Sequence, residues 1–157
     1  MILQNLFKPE FIKIDIEAVE KDEAFKELVD FYCKTSRSGA YKEILNAIVS
    51  REEKMSTGIH KGVAVPHGKT DKVKEIQALV GISQKGINYD ALDGEPVYIL
   101  FMLITPLEDS DNYLRILKNI ADLVENPQFQ NEMRSQKDIQ SVYKVICKYE
   151  NLLDVKV

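Results

Sequence analysis

The chain has 157 residues, 45% of them hydrophobic and 29% charged, with a net charge of −4 at pH 7. That length suits one domain, expected over residues 1–157, with a core that needs neither disulfides nor metals. The mild acidity argues against nucleic acid as the main partner, and the longest strongly apolar run, residues 97–104, is far too short to insert across a membrane as a helix.

The opening "MILQNLFKPEFIK" starts apolar but is broken by Asn5, Lys8 and Pro9. It lacks the long apolar stretch and small-residue cleavage site of a secretion signal, so a cytoplasmic protein is expected. Residues 11–16 read as a short strand. "KDEAFKELVDFYCKT" reads as a helix with Phe25, Leu28, Val29 and Tyr32 on one face. After Gly39, "AYKEILNAIVSREEK" is a second helix with Tyr41, Ile44, Leu45 and Ile48 on its apolar stripe. A short strand is expected over 63–65 and another over 76–83, followed by a turn-rich connection with Gly86, Gly94 and Pro96. "VYILFMLIT" is apolar at nearly every position, which places it in the middle of a sheet covered on both faces. "DNYLRILKNIADLVEN" is helical and should stop at Pro127. "KDIQSVYKVICKYENLL" supplies a last helix. Cys33 and Cys147 sit in helical segments beside apolar residues and read as small hydrophobes in a reducing compartment. The order of elements gives an α/β chain, a mixed sheet sandwiched between helices.

The chemistry concentrates in "GIHKGVAVPHGK", residues 58–69, which holds both histidines of the chain. Pro66 has a fixed φ and biases Val65 toward extended geometry. Gly68 would let another molecule approach the ring. His67 would then be held rigidly and presented outward, and imidazole is a neutral nucleophile at cellular pH. Between residues 54 and 74, Lys54, Lys61, Lys69, Lys72 and Lys74 face Asp71 alone. Arg51 ends the preceding helix and could fork onto a phosphate, with Ser56, Thr57 and the glycine amides as further donors. Such a setting suits a phosphoryl group on a histidine nitrogen. An ordinary turn histidine beside solvated lysines fits the same residues. His60 and His67 are seven apart across two glycines and a proline, which is not a zinc-pair spacing. No nucleotide-binding glycine motif is present. Glu52 and Glu53 read as solvated charges at the helix end.

"REEKMSTGIHKGVAVPHGK" resembles the signature of the fructose/mannitol-type enzyme IIA domains of the bacterial phosphotransferase system (PTS), including their nitrogen-regulatory branch. The shared pattern is an arginine closing a helix, then S-T-G-I, then A-[VI]-P-H-G. "GINYDALDGEPVYILFMLITP" is similar to the family's second landmark, and "YLRILKNIADLV" to the helix after it. The resemblance runs from about residue 11 to residue 148. It implies a phosphoryl carrier without cofactor or metal, in which His67 accepts a phosphoryl group from an HPr-like carrier. The group then passes to a IIB component or serves as a regulatory signal. The alternative is an interaction module whose binding to a regulatory target depends on phospho-state, without onward transfer. Arg51 matches the family arginine near the phosphoryl site, and Ser56, Thr57 and Gly68 match positions lining it. A homodimer is left open. Ile59, Val63 and Leu107 are expected around His67 on the carrier-docking surface.

Two positions depart from the family. Many members carry a second histidine where this chain has Tyr113, which could hydrogen-bond a phosphate or simply pack at the helix start. His60 stands where glycine is usual; it could help bind phosphate or be an exposed loop residue.

Overall fold

The computed structural model describes residues 2–155, without the side chains of His60 and Ser110. At its centre is β6, Val97–Thr105, buried at every position but Tyr98. Its side chains alternate between two cores, as a pleated strand requires. Ile99, Phe101 and Leu103 join one cluster, Leu100, Met102 and Ile104 the other. This is the centrally placed strand that its unbroken hydrophobicity predicts.

On one side β6 pairs antiparallel with β5, Gln77–Ile87, which pairs parallel with the short β1, Ile12–Lys13. On its other side β6 receives two short strands in succession, β3 (Val63–Ala64) and β4 (His67–Lys69), both parallel to it. A further strand, β2 (Gly58–His60), pairs antiparallel with β3. The sheet is therefore mixed. Pro66 explains why β3 and β4 are separate. It has no N–H to donate, although its carbonyl still accepts from the Leu103 N–H at 2.9 Å.

Helices cover both faces. α2 (Lys21–Ser36) and α3 (Tyr41–Lys54) bury Phe25, Leu28, Val29, Ile44 and Ile48 in one core. Against the opposite face lie α1 (Ile2–Leu6), α4 (Ser110–Val124), α5 (Pro127–Ser135) and α6 (Ile139–Val155). Leu3, Ile120, Phe129, Met133 and Ile146 fill that core. Each such fully buried side chain contributes about 1.5–3 kcal/mol of transfer free energy.

Several elements differ from the sequence expectation. Pro127 ends α4 but also opens α5 as its first residue, with the Asn126 side chain accepting from the Gln128 N–H at 3.0 Å. α1 forms across the apolar run that Asn5 interrupts, because the buried Glu150 carboxylate accepts from the Leu3 and Gln4 N–H groups at 2.7 and 3.0 Å. β2 and β4 flank the one short strand expected over 63–65, and neither is itself expected as a strand.

Candidate functional site

His67 is the first residue of β4, on the flank of β6. Its ring Nδ1 lies 2.9 Å from the Val65 carbonyl oxygen. A carbonyl can only accept, so Nδ1 carries the proton and Nε2 holds the free lone pair. Burial pushes the imidazole below its ordinary value, and the charges of Arg51 and Lys69 push the same way. The bond to Val65 and the Glu52 carboxylate pull it back in part. The net direction favours a neutral ring at pH 7.

Two cavities meet at His67, and Arg51 and Tyr113 line both. One, of about 420 Å³, adds Ser56 and Thr57 from the loop after α3, Gly58 at the start of β2, the apolar Met55, Ile59, Leu92 and Leu117, and Asp93. The other, of about 470 Å³, adds Ser50, Lys54, Gly68 and Lys69. One wall of the imidazole is therefore mostly apolar with Ser56 and the carboxylate of Asp93, the other is cationic, and Arg51 borders both. Lys61 lines a different cavity with Tyr98 and Arg134, and neither cavity at His67 includes Lys72 or Lys74. The charge surplus read from sequence thus reaches His67 through Lys54 and Lys69.

Arg51 lies in the last turn of α3, where a cation complements the helix dipole. Its Nη1 donates to the Met55 carbonyl at 3.0 Å, which folds the loop back over the helix end. Ser56 Oγ accepts from the Gly58 N–H at 3.3 Å. The Tyr113 ring lies 5.1 Å from the His67 ring, centroid to centroid, at 48°. It is half-buried, and burial raises its hydroxyl pKa, so it stays protonated. Tyr113 therefore packs on the imidazole and adds one neutral hydroxyl to the wall.

Four expectations need correction. Gly68 does not leave room for another molecule. A Cβ there would lie 2.6 Å from the Ala47 carbonyl carbon and 2.7 Å from the Ile48 nitrogen, so the space belongs to the backbone of α3. Val63 is fully buried in the core and absent from the surface, whereas Ile59 and Leu107 are exposed. Glu52 is not solvated; it is 7% exposed, while Glu53 is exposed as expected. The Thr57 hydroxyl is turned away from the cavity. It donates to Glu52 Oε2 at 2.6 Å and, its one proton spent, accepts from the buried Tyr89 hydroxyl at 2.7 Å. The side chain of His60 lies outside the described residues.

Glu52, Lys21 and Tyr89 are the residues that sequence reasoning missed. Lys21 Nζ stands 3.2 Å from Glu52 Oε1 and 4.7 Å above the Tyr89 ring. Burial, then the Glu52 charge, raises the Tyr89 hydroxyl well above its usual range. One hint was available: Glu52 falls four residues after the buried Ile48, on the inward face of its helix.

With this geometry in place, the chain matches over residues 5–149 the family described as "Phosphoenolpyruvate-dependent sugar phosphotransferase system, EIIA 2". It is 29% identical over 153 residues to the fructose-specific EIIABC component of Bacillus subtilis, covering 96% of this chain but only 24% of that relative. Its fold is similar to nitrogen regulatory protein IIA-Ntr from Neisseria meningitidis, with a TM-score of 0.85 at 23% identity, covering 92% of this chain and 99% of that one. It is also similar to the mannitol enzyme IIA–phosphorylated IIB complex from Escherichia coli, with a TM-score of 0.76 at 16% identity, covering 91% of this chain and 99% of that one. Among the described residues no helix is long and apolar enough to cross a membrane.

Proposed function

The chain belongs to the EIIA 2 family of the phosphoenolpyruvate-dependent sugar phosphotransferase system, and from that premise we propose that it is a cytoplasmic phosphoryl carrier whose acceptor atom is His67 Nε2. The observation that carries this reading is the bond from Nδ1 to the Val65 carbonyl. It leaves the lone pair on Nε2, in a ring lined by Arg51, Lys54 and Lys69. In the transfer step, Nε2 attacks the phosphorus of a phosphohistidine on an HPr-like donor. The Nε2–P bond forms as the donor N–P bond breaks, and that electron pair stays on the donor nitrogen. A donor ring protonated on its other nitrogen leaves as neutral imidazole, while His67 keeps its Nδ1 proton. Arg51 and the lysines stabilise the charge on the equatorial oxygens, and the docked proteins hold the two rings in line.

Docking fits the exposed apolar rim of the site: Met55, Ile59 and Leu92 are 60%, 47% and 73% exposed and all line the His67 cavity. The onward acceptor is a IIB component, a reading supported by the likeness to the mannitol IIA half of a IIA–IIB complex. A second reading, a regulatory module that binds a target in one phospho-state, is favoured by Tyr113. A tyrosine packed on the imidazole cannot supply the second positive charge that a histidine would.

Intact-mass spectrometry at neutral to alkaline pH tests the carrier role. After incubation with phosphoenolpyruvate, enzyme I and HPr, one phosphoryl group is expected on the native chain and on His60→Ala, and none on His67→Ala. No addition to the native chain overturns the reading.

A further inference from the structure

Glu52 stands one residue beyond Arg51, yet it points into the protein and reaches His67 through a continuous run of hydrogen bonds. Its two carboxylate oxygens accept from the Thr57 N–H, at 3.0 and 3.2 Å, and from the Thr57 hydroxyl at 2.6 Å. The Thr57 carbonyl in turn accepts from the Val65 N–H at 2.9 Å. The Val65 carbonyl then accepts from His67 Nδ1. The N–H and the carbonyl of both Thr57 and Val65 are thus all engaged between the carboxylate and the ring. Lys21 from the start of α2 and Tyr89 from the segment after β5 hold the carboxylate and Thr57 from behind.

We propose that Glu52 is a positioning residue for His67: by anchoring Thr57, it holds the Val65 carbonyl where it selects the Nδ1–H tautomer and leaves the Nε2 lone pair for the phosphoryl group. A fixed tautomer matters because attack by Nε2 requires its proton to be elsewhere, and a ring free to flip would spend part of its time with the wrong nitrogen in place. Consecutive side chains at the end of α3 then divide the work. Arg51 closes the loop from the solvent side through Met55, and Glu52 ties it to the interior through Thr57. The carboxylate does not touch the ring and takes no proton in the transfer. The inference rests on the carrier reading for its consequence, but not for its geometry.

The test uses the full chain as the native protein and as Glu52→Gln, Glu52→Ala and Glu53→Gln. Glu52→Gln is close to isosteric and keeps an acceptor for one of the two Thr57 bonds, so it is the less destabilised of the two Glu52 variants and keeps the test open if Glu52→Ala unfolds. Glu53→Gln removes the same charge from an exposed neighbour without these bonds. Two quantities are read below the unfolding temperature. One is the His67 tautomer, by nitrogen NMR of the unphosphorylated protein. The other is the rate of phosphorylation by phospho-HPr. The native chain and Glu53→Gln are expected to hold a single Nδ1–H tautomer. Both Glu52 variants are expected to show a mixed one and to accept the phosphoryl group about tenfold to a hundredfold more slowly, as a small misplacement of a reacting group allows. A native tautomer and a native rate in folded Glu52→Gln overturn the proposal, and so does an equal loss in Glu53→Gln. A native chain that never takes up a phosphoryl group defeats the carrier reading instead, and the tautomer measurement still decides the role of Glu52.

Discussion

Gly68 packs directly against the backbone of Ala47, with only 2.6 Å between the Ala47 carbonyl carbon and the place a Gly68 Cβ would occupy. That contact locks β4, which begins at His67, onto α3, which carries Arg51. The two residues meet because a strand and a helix touch backbone to backbone where a side chain is missing. Gly68→Ala must push α3 away, since the obstacle is main chain and not a flexible side-chain end. We expect a loss of about 1–3 kcal/mol, the usual cost of overpacking, measured by denaturant unfolding. His67 phosphorylation should slow as well, because Arg51 moves with the helix.

The depressed His67 pKa links stability to pH. The folded ring resists a proton that the unfolded chain accepts near pH 6.5, so the unfolded state binds more protons as pH falls below that value. Stability should be level in this respect above about pH 6.5 and should decline as pH drops below it, towards the lower folded pKa. His67→Gln removes this contribution, and its unfolding free energy should vary less between pH 7 and pH 5 than that of the native chain. The phosphorylation rate should hold to below pH 6.5 and fall only as pH approaches the lower pKa of the folded ring, where the nucleophile becomes protonated.

Arg51→Ala should lower the phosphoryl-transfer rate by about a hundredfold to a thousandfold, the range for loss of one preorganised donor to a developing charge. Arg51→Lys should recover only part of it, since an ammonium keeps the charge but not the planar fork. Transfer kinetics from phospho-HPr read both. A full recovery by lysine would reduce the role of Arg51 to charge alone.

Tyr113 separates packing from hydrogen bonding. Tyr113→Phe retains the ring 5.1 Å from the imidazole and should leave the His67 pKa close to native. Tyr113→Ala uncovers the ring and should raise that pKa towards 6.5, because burial is the largest cause of its depression. Proton NMR titration of the imidazole distinguishes them. Equal shifts in the two variants would assign the effect to the hydroxyl.

Leu92 is 73% exposed and lines the His67 cavity. Leu92→Asp should leave the melting temperature within about 1 °C, since an exposed position loses little on folding. It should raise the KM for phospho-HPr about tenfold, as loss of an interface anchor does. An unchanged KM would move the docking surface elsewhere.

Much of the fold was legible in the chain itself, and for local reasons. The unbroken apolar run of residues 97–105 required a central strand covered on both faces, and the spacing of Phe25, Leu28, Val29 and Tyr32 required a helix with one buried face. The concentration of His67, Arg51 and lysines in a short stretch marked the candidate site, and the fold brings His67, Arg51, Lys54 and Lys69 to one cavity. Other features were ambiguous at short range. Pro127 ends one helix and begins the next, and no local pattern tells a lone stop from a stop followed by a start. β2 and β4 have three residues each and exist only because neighbouring strands accept their hydrogen bonds.

The amino-acid order by itself determined the elements with strong hydrophobic patterning and the candidate imidazole, because side-chain pattern and residue chemistry are local properties. Only the tertiary structure decided which nitrogen of His67 holds the proton, which way the Thr57 hydroxyl turns and whether Glu52 is solvated. Those outcomes depend on a carbonyl, a tyrosine and a lysine brought together from distant parts of the chain. In a low-dielectric interior, a polar group's partner determines its state.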